Sequence, residues 1–140
     1  MKNTVFDCKI IDLPQVHNVS GNITAIENKK NIPFEIKRLY YLYDIPGGAD
    51  RGAHGHKNLQ QFIISASGSF DVNINDGINN KTFNLNHPNQ ALHLVSGIWR
   101  DLSNFCSGAI CLVLASEKYD ENDYIRNYSD FINLKNTHDS

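Results

Sequence analysis

The sequence predicts an all-β protein, a sandwich or barrel with one short helix at its C-terminus. Three observations lead there. Short runs rich in β-branched and aromatic residues recur along the chain. Gly, Pro or Asn turns separate them at close, even intervals. Helical patterning is confined to the region after residue 119. Short strands at regular spacing with turn signals between them are the mark of a sandwich or barrel.

Taken in order, strands are predicted at 5–11, 22–27, 37–45, 59–65, 69–75, 81–85, 91–95, 99–104 and 109–116. The turns carry Pro46-Gly47-Gly48, Ser67-Gly68, Asp76-Gly77, His87-Pro88-Asn89, Ser96-Gly97 and Ser107-Gly108. Asp76-Gly77 is the best hairpin signal, because both central residues of a type I′ turn need a positive φ. At the C-terminus Asp120 can cap a helix with Glu121 and Asp123 in its first turn. Tyr124 and Tyr128 then fall one turn apart, and Ile125 and either Phe131 or Ile132 add apolar surface. The polar NTHDS tail is expected to fray.

At 140 residues the chain is expected to form one domain, residues 1–140. The formal net charge of −2 shows no basic excess, which argues against a nucleic-acid partner. No run reaches the length of a membrane-crossing helix. The start, MKNTVFDCKIIDLP, lacks the apolar core of a secretory leader, so a cytoplasmic location is expected. The three cysteines, Cys8, Cys106 and Cys111, form no CxxC pair and read as small buried hydrophobes.

The chemistry concentrates in GADRGAHGHKNLQQF, residues 48–62. Residues i and i+2 of a strand point to the same face, so His54 and His56 project together. The spacing Gly48, His54, His56, Gln61, Gly68 resembles the first motif of the cupin superfamily, with Gln61 where the motif has a glutamate. That resemblance implies a double-stranded β-helix, or jelly roll. In the second cupin motif a histidine follows the Pro-x-Gly turn. The matching stretch here is Val95-Ser96-Gly97-Ile98-Trp99-Arg100, with Asn104 further on, so Arg100 stands where the third imidazole would be. Two imidazoles and a neutral amide make a weak set for a divalent ion, and a guanidinium at the third corner repels one. No metal is therefore expected, and the histidines read as acid–base groups. His17, His87 and His138 sit in polar or turn contexts and are expected to be exposed. His93, in an apolar strand, reads as a core or lining residue.

Arg51-Gly52-Ala53-His54 resembles the Arg-Gly-x-His element of cupin epimerases acting on dTDP-4-keto-6-deoxy sugars. The segments GNITAIE, RLYYLYDIPGGADRGAHGHKNLQQF, GIWRDLSNF and CLVLASEKYDENDYIRNYSDF are similar to the WxcM-like family of dTDP-sugar 3,4-ketoisomerases, with YDENDYIRNY the most specific. The resemblance implies a substrate, dTDP-4-keto-6-deoxy-D-glucose, and a product with the ketone at C3. It implies a homodimer with no cofactor, feeding 3-keto sugars to aminotransferases on the way to 3-amino-3,6-dideoxy sugars. A dTDP-sugar epimerase, a metal-dependent cupin and a non-catalytic sugar-binding cupin are the competing readings.

Moving a ketone from C4 to C3 needs a base for the C3 proton, an enediol or enediolate, and a proton delivered to C4. One imidazole can take and return a proton near neutral pH; His54 is assigned this role. His56, helped by a tyrosine hydroxyl, is assigned the proton exchange between O3 and O4. Arg38, Tyr40 and Leu42 share one face of their strand, with Leu39, Tyr41 and Tyr43 on the other. The resemblance also favours Tyr40 as the tyrosine, and Tyr41 and Tyr43 read as packing on an outer sheet or a dimer partner. Arginine forks match phosphate oxygens, so Arg38 and Arg51, with Lys57 behind them, are candidates for the diphosphate. Gln61 is expected to bond a sugar hydroxyl or stay in the barrel wall, and Trp99 to line the sugar pocket or the core. Arg100, at the barrel mouth, completes the substrate-binding set. An arginine there in place of a histidine donor favours a gluco product.

Overall fold

The computed structural model describes residues 2–138. Two five-stranded sheets face each other. The first has the order β1(Lys9–Asp12)-β9(Gln90–Leu94)-β6(Gln61–Ser67)-β11(Ile110–Ala115)-β4(Arg38–Leu42). The second has the order β12(Tyr124–Ile125)-β5(Arg51–His56)-β10(Trp99–Ser103)-β7(Phe70–Asn75)-β8(Asn80–Leu85). A hairpin of β2(Val16–Asn18) and β3(Gly21–Ile23) stands apart from both. The pairing is antiparallel throughout these ladders. The architecture is the cupin jelly roll expected from the sequence, with α1(Tyr128–His138) packed on the outer face of the second sheet against Trp99 and Gly55.

Strand alternation sends one set of side chains between the sheets. Phe70, Val72 and Ile74 from β7, Leu102 from β10, Ile63 from β6 and Val113 from β11 meet there and are essentially inaccessible. The first sheet is buried on both faces. Phe62, Ile64, Ala91 and Leu114 point outward and are covered by Ile26, Ile32, Phe34 and Ile36 from the irregular stretch that follows β3. His93 lies on this outer face, between Phe34 and Phe62, with its Nε2 2.9 Å from Gln60 Oε1.

Several expectations are corrected. The stretch 5–11 is not one strand: Val5–Asp7 forms a 3-10 turn capped by Thr4, and the strand starts at Lys9. The strand expected at 22–27 ends at Ile23. Asp76-Gly77 does join a hairpin, but through a four-residue loop in which only Gly77 has a positive φ (96°). The Asp76 carboxylate holds that loop by accepting from the amides of Ile78 and Asn79, and it reaches across to the amide of Val5. Asp120 caps a single 3-10 turn, Glu121–Asp123, and not the helix. Pairing of Tyr124–Ile125 with His56 and Gly55 claims those residues for the sheet. The helix starts only at Tyr128 and runs to His138, into the tail expected to fray; Asp139, Ser140 and the His138 side chain lie outside the described residues. Cys8 and Cys111 are buried as expected, whereas Cys106 is exposed in a turn.

Candidate active site

A cavity of about 370 Å³ opens at one end of the barrel, lined by Arg38, Tyr40, Leu42, Arg51, Gly52, His54, Arg100, Tyr124 and Arg126. Apart from Arg126, which follows β12, the walls come from strand residues. Arg38, Tyr40 and Leu42 are the inward face of β4; their neighbours Leu39 and Tyr41, with Tyr43 just beyond the strand, are more than half exposed. His54 and His56 are inward residues of β5, and Arg100 is an inward residue of β10.

The local sequence explains how β5 reaches this position. A register shift between β5 and β10 falls at Gly52 and Ala53, and Gly52 adopts a φ of 70°. A glycine at such a bulge takes the left-handed conformation without strain and re-aims the strand. It also leaves space: a Cβ there would lie 2.7 Å from Arg100 Nη1. Gly55 is similarly close-packed, since a Cβ would lie 3.4 Å from Phe131 of α1. The helix thus backs the strand that carries both histidines.

The histidine rings meet edge to face, 4.7 Å between centroids. Tyr124 closes over them, 5.0 Å from His54 and 4.4 Å from His56. His54 lines the cavity and His56 lies behind it, 8% and 3% exposed respectively. Burial holds both imidazoles neutral, and the Arg100 charge adds to the effect, so that protonation falls from near 6.5 to about 2 for His54 and about 3 for His56. The Nε2 atom of each ring is buried without a hydrogen-bond partner among the described residues. A buried polar atom left unpaired is an exception that asks for a reason; His54 lines a polar cavity, where its Nε2 is available to a ligand.

The floor is a second network. Arg100 Nη2 donates to the Tyr40 hydroxyl oxygen at 3.2 Å, and Gln61 Nε2 donates to the same oxygen at 3.0 Å. With two donors on its oxygen, Tyr40 keeps its own O–H proton for a third partner. Arg100 is 2% exposed, so its charge acts at the bottom of the site. The Arg38 guanidinium lies 4.6 Å from the Tyr40 ring centroid. Arg51 and Arg126 lie nearer the mouth; both are exposed.

The structure brings together His54, His56, Tyr40, Arg38, Arg51, Gln61 and Arg100 of the residues singled out from sequence. It does not bring Lys57 or Trp99 to this cavity. Lys57 follows His56 and so turns outward, to a separate depression beside Asp130 and Leu134. Trp99 precedes Arg100 and also turns outward, packing on Tyr128 and Phe131 of the helix. Tyr124 and Arg126 were missed, because both were read as part of a helix. The odd run of aromatic and charged residues in YDENDYIRNY was the available signal.

A cupin metal site would need a third and fourth ligand beside the two histidines. Gln61 and Arg100 occupy those corners, and a guanidinium does not fit a metal.

Known proteins resemble this chain across nearly its whole length. The profile of the family described as FdtA: WxcM-like, C-terminal matches residues 6–136. A TDP-4-oxo-6-deoxy-alpha-D-glucose-3,4-oxoisomerase from Aneurinibacillus thermoaerophilus is 40% identical over 123 residues, covering 88% of each chain. The WlaRB TDP-quinovose 3,4-ketoisomerase from Campylobacter jejuni is 46% identical, with a TM-score of 0.87 over 95% of this chain and 99% of its own. A histidine-to-asparagine mutant of the 3,4-ketoisomerase QdtA from Thermoanaerobacterium thermosaccharolyticum, solved with TDP-4-keto-6-deoxyglucose, is 36% identical, with a TM-score of 0.92 over 94% of this chain and 96% of its own. On the match across nearly its whole length, the chain belongs to the WxcM-like family.

Proposed function

We propose that the protein is a TDP-sugar 3,4-ketoisomerase that converts dTDP-4-keto-6-deoxy-D-glucose to its 3-keto isomer. The observation that carries this is a neutral imidazole, His54, backed by a second, His56, and facing a cavity lined by four arginines. A carbon acid beside a ketone needs an unprotonated base, and a diphosphate is held by cations; this site holds both.

His54 takes the C3 proton of the substrate, which the C4 carbonyl acidifies. The electron pair moves through C3–C4 to the carbonyl oxygen, giving an enediolate. Arg100, fixed on the Tyr40 oxygen, supplies the positive charge that stabilises the developing oxyanion. Tyr40 and His56 carry a proton from O3 to O4. His54 then returns a proton to C4 as the ketone forms at C3, so the step is balanced with no external oxidant. Arg38 and Arg51 bind the diphosphate. Gln61 keeps Tyr40 in place through its 3.0 Å hydrogen bond. The product has the gluco configuration at C4; Arg100 where a histidine donor could stand supports this, as does the similarity to an enzyme named for TDP-quinovose.

The unit of function is residues 1–140 as one domain, acting as a homodimer in the cytoplasm. The exposed Leu39 and Tyr41 on the edge strand β4, with Tyr43 just beyond it, support the dimer. Three free thiols suit a reducing compartment, and no described helix is long and apolar enough to cross a membrane. The test of the activity is direct. Purified protein incubated with dTDP-4-keto-6-deoxyglucose and a 3-aminotransferase should yield a 3-amino sugar nucleotide. A small H3–H4 coupling in its proton NMR spectrum would mean a galacto product, and recovery of an unmoved 4-ketone would remove the assignment.

A further inference from the structure

No residue from Tyr119 to Arg126 has been given an individual role in the reaction, yet the stretch builds one wall of the cavity through Tyr124 and Arg126. Arg126 lines the mouth, its guanidinium 4.3 Å from the centroid of Tyr124, the ring that packs against both histidines. Glu121 grips Arg126 with both carboxylate oxygens, Nε to Oε1 at 2.5 Å and Nη2 to Oε2 at 2.8 Å. The Tyr119 hydroxyl donates to the same carboxylate, and the Tyr119 ring lies against Tyr124 and under Arg38. The cavity lining itself holds four arginines and no carboxylate among the described residues. Glu121 is therefore the acidic group that reaches this cationic mouth, and it does so through Arg126.

We propose that Arg126 is a diphosphate-binding residue and that Glu121 competes with the diphosphate for it, holding nucleotide affinity down and speeding product release. This rests on reading the cavity as a TDP-sugar site. The physical argument is one of shared donors. A guanidinium offers carboxylate and phosphate the same forked geometry. Glu121 occupies one fork of Arg126, so an arriving diphosphate must displace it or take the remaining edge with a carboxylate alongside. Either course weakens binding relative to a free arginine. Both side chains are about half exposed (53% and 55%), so the exchange is not blocked by packing.

Calorimetry with TDP on the intact protein tests this. Glu121→Gln should tighten TDP about threefold or more and slow its release by a similar factor in stopped flow. Arg126→Gln should weaken TDP about tenfold or more. The double variant should match Arg126→Gln alone, because Glu121 acts through Arg126. Thermal unfolding of each variant confirms that it is folded. If Glu121→Gln leaves TDP affinity unchanged or weaker, or tightens it equally without Arg126, the competition is overturned. A wild-type protein that does not bind TDP would instead overturn the reading of the cavity, and this proposal with it.

Discussion

His54 and Arg100 are direct cross-strand partners, opposite one another on β5 and β10. Their side chains share the inner face, so the imidazole is buried beside a fixed cation. Burial lowers its proton affinity first, and the guanidinium lowers it further, to about 2. His54 therefore stands ready as a neutral base across the physiological range. The expected kcat/KM is flat from pH 8 down to about pH 5.5, without the limb near 6.5 that an ordinary imidazole would give. A limb centred there would mean that the base is not held in this environment.

Removing the base isolates its role. His54→Asn should lower kcat by about 10²–10⁴-fold while TDP affinity stays near that of the wild type. His56→Asn should cost less, since water or Tyr40 can relay the oxygen proton. In D₂O the wild type should place deuterium at C4 to the extent that the imidazole proton exchanges before delivery. Turnover surviving in His54→Asn but lost in His56→Asn would exchange the two roles.

The same burial makes stability depend on pH. Each imidazole is neutral in the folded chain and takes up a proton below about 6.5 when unfolded. Stability is fully present above 6.5 and is lost as pH falls towards 3, because the unfolded state binds more protons. For the pair this amounts to about 4 kcal/mol between pH 7 and pH 5. Urea denaturation at the two pH values should show it, and His54→Asn should remove about half of the difference.

Gly52→Ala tests the bulge. Its φ of 70° strains any side chain, and the new methyl would lie 2.7 Å from Arg100 Nη1. A loss of about 1–3 kcal/mol is expected from the backbone alone. The displaced guanidinium should lower kcat beyond what the loss of stability explains. An alanine variant with wild-type kcat would show that the position of Arg100 is not critical.

The outward row on β4 tests assembly. Leu39 and Tyr41 on the edge strand, and Tyr43 just beyond it, are 55%, 56% and 60% exposed. A Tyr41→Lys charge there should shift sedimentation from dimer to monomer without unfolding the barrel. An unchanged dimer would place the interface elsewhere.

Most strands of the two sheets, the inward pairing of His54 with His56, the Arg38–Tyr40 face and the substitution of Gln61 and Arg100 for ligands were legible in the sequence, although β5 was not among the strands read from it. They depend on alternation and spacing, which are local properties of the chain. So was the family, because its motifs run along most of the length. What the sequence did not decide is what depends on partners distant along the chain. Tyr124 and Ile125 look helical in isolation and become a strand because β5 offers them an unpaired edge. Lys57 and Trp99 sit beside site residues in sequence, and the same alternation that turns His56 and Arg100 inward carries them outside. The neutrality of the histidines, the Tyr40–Arg100–Gln61 network and the grip of Glu121 on Arg126 required the sheets to close. Burial and charge act through space, and only the folded barrel brings β4, β5, β6, β10 and the 119–126 segment to one place.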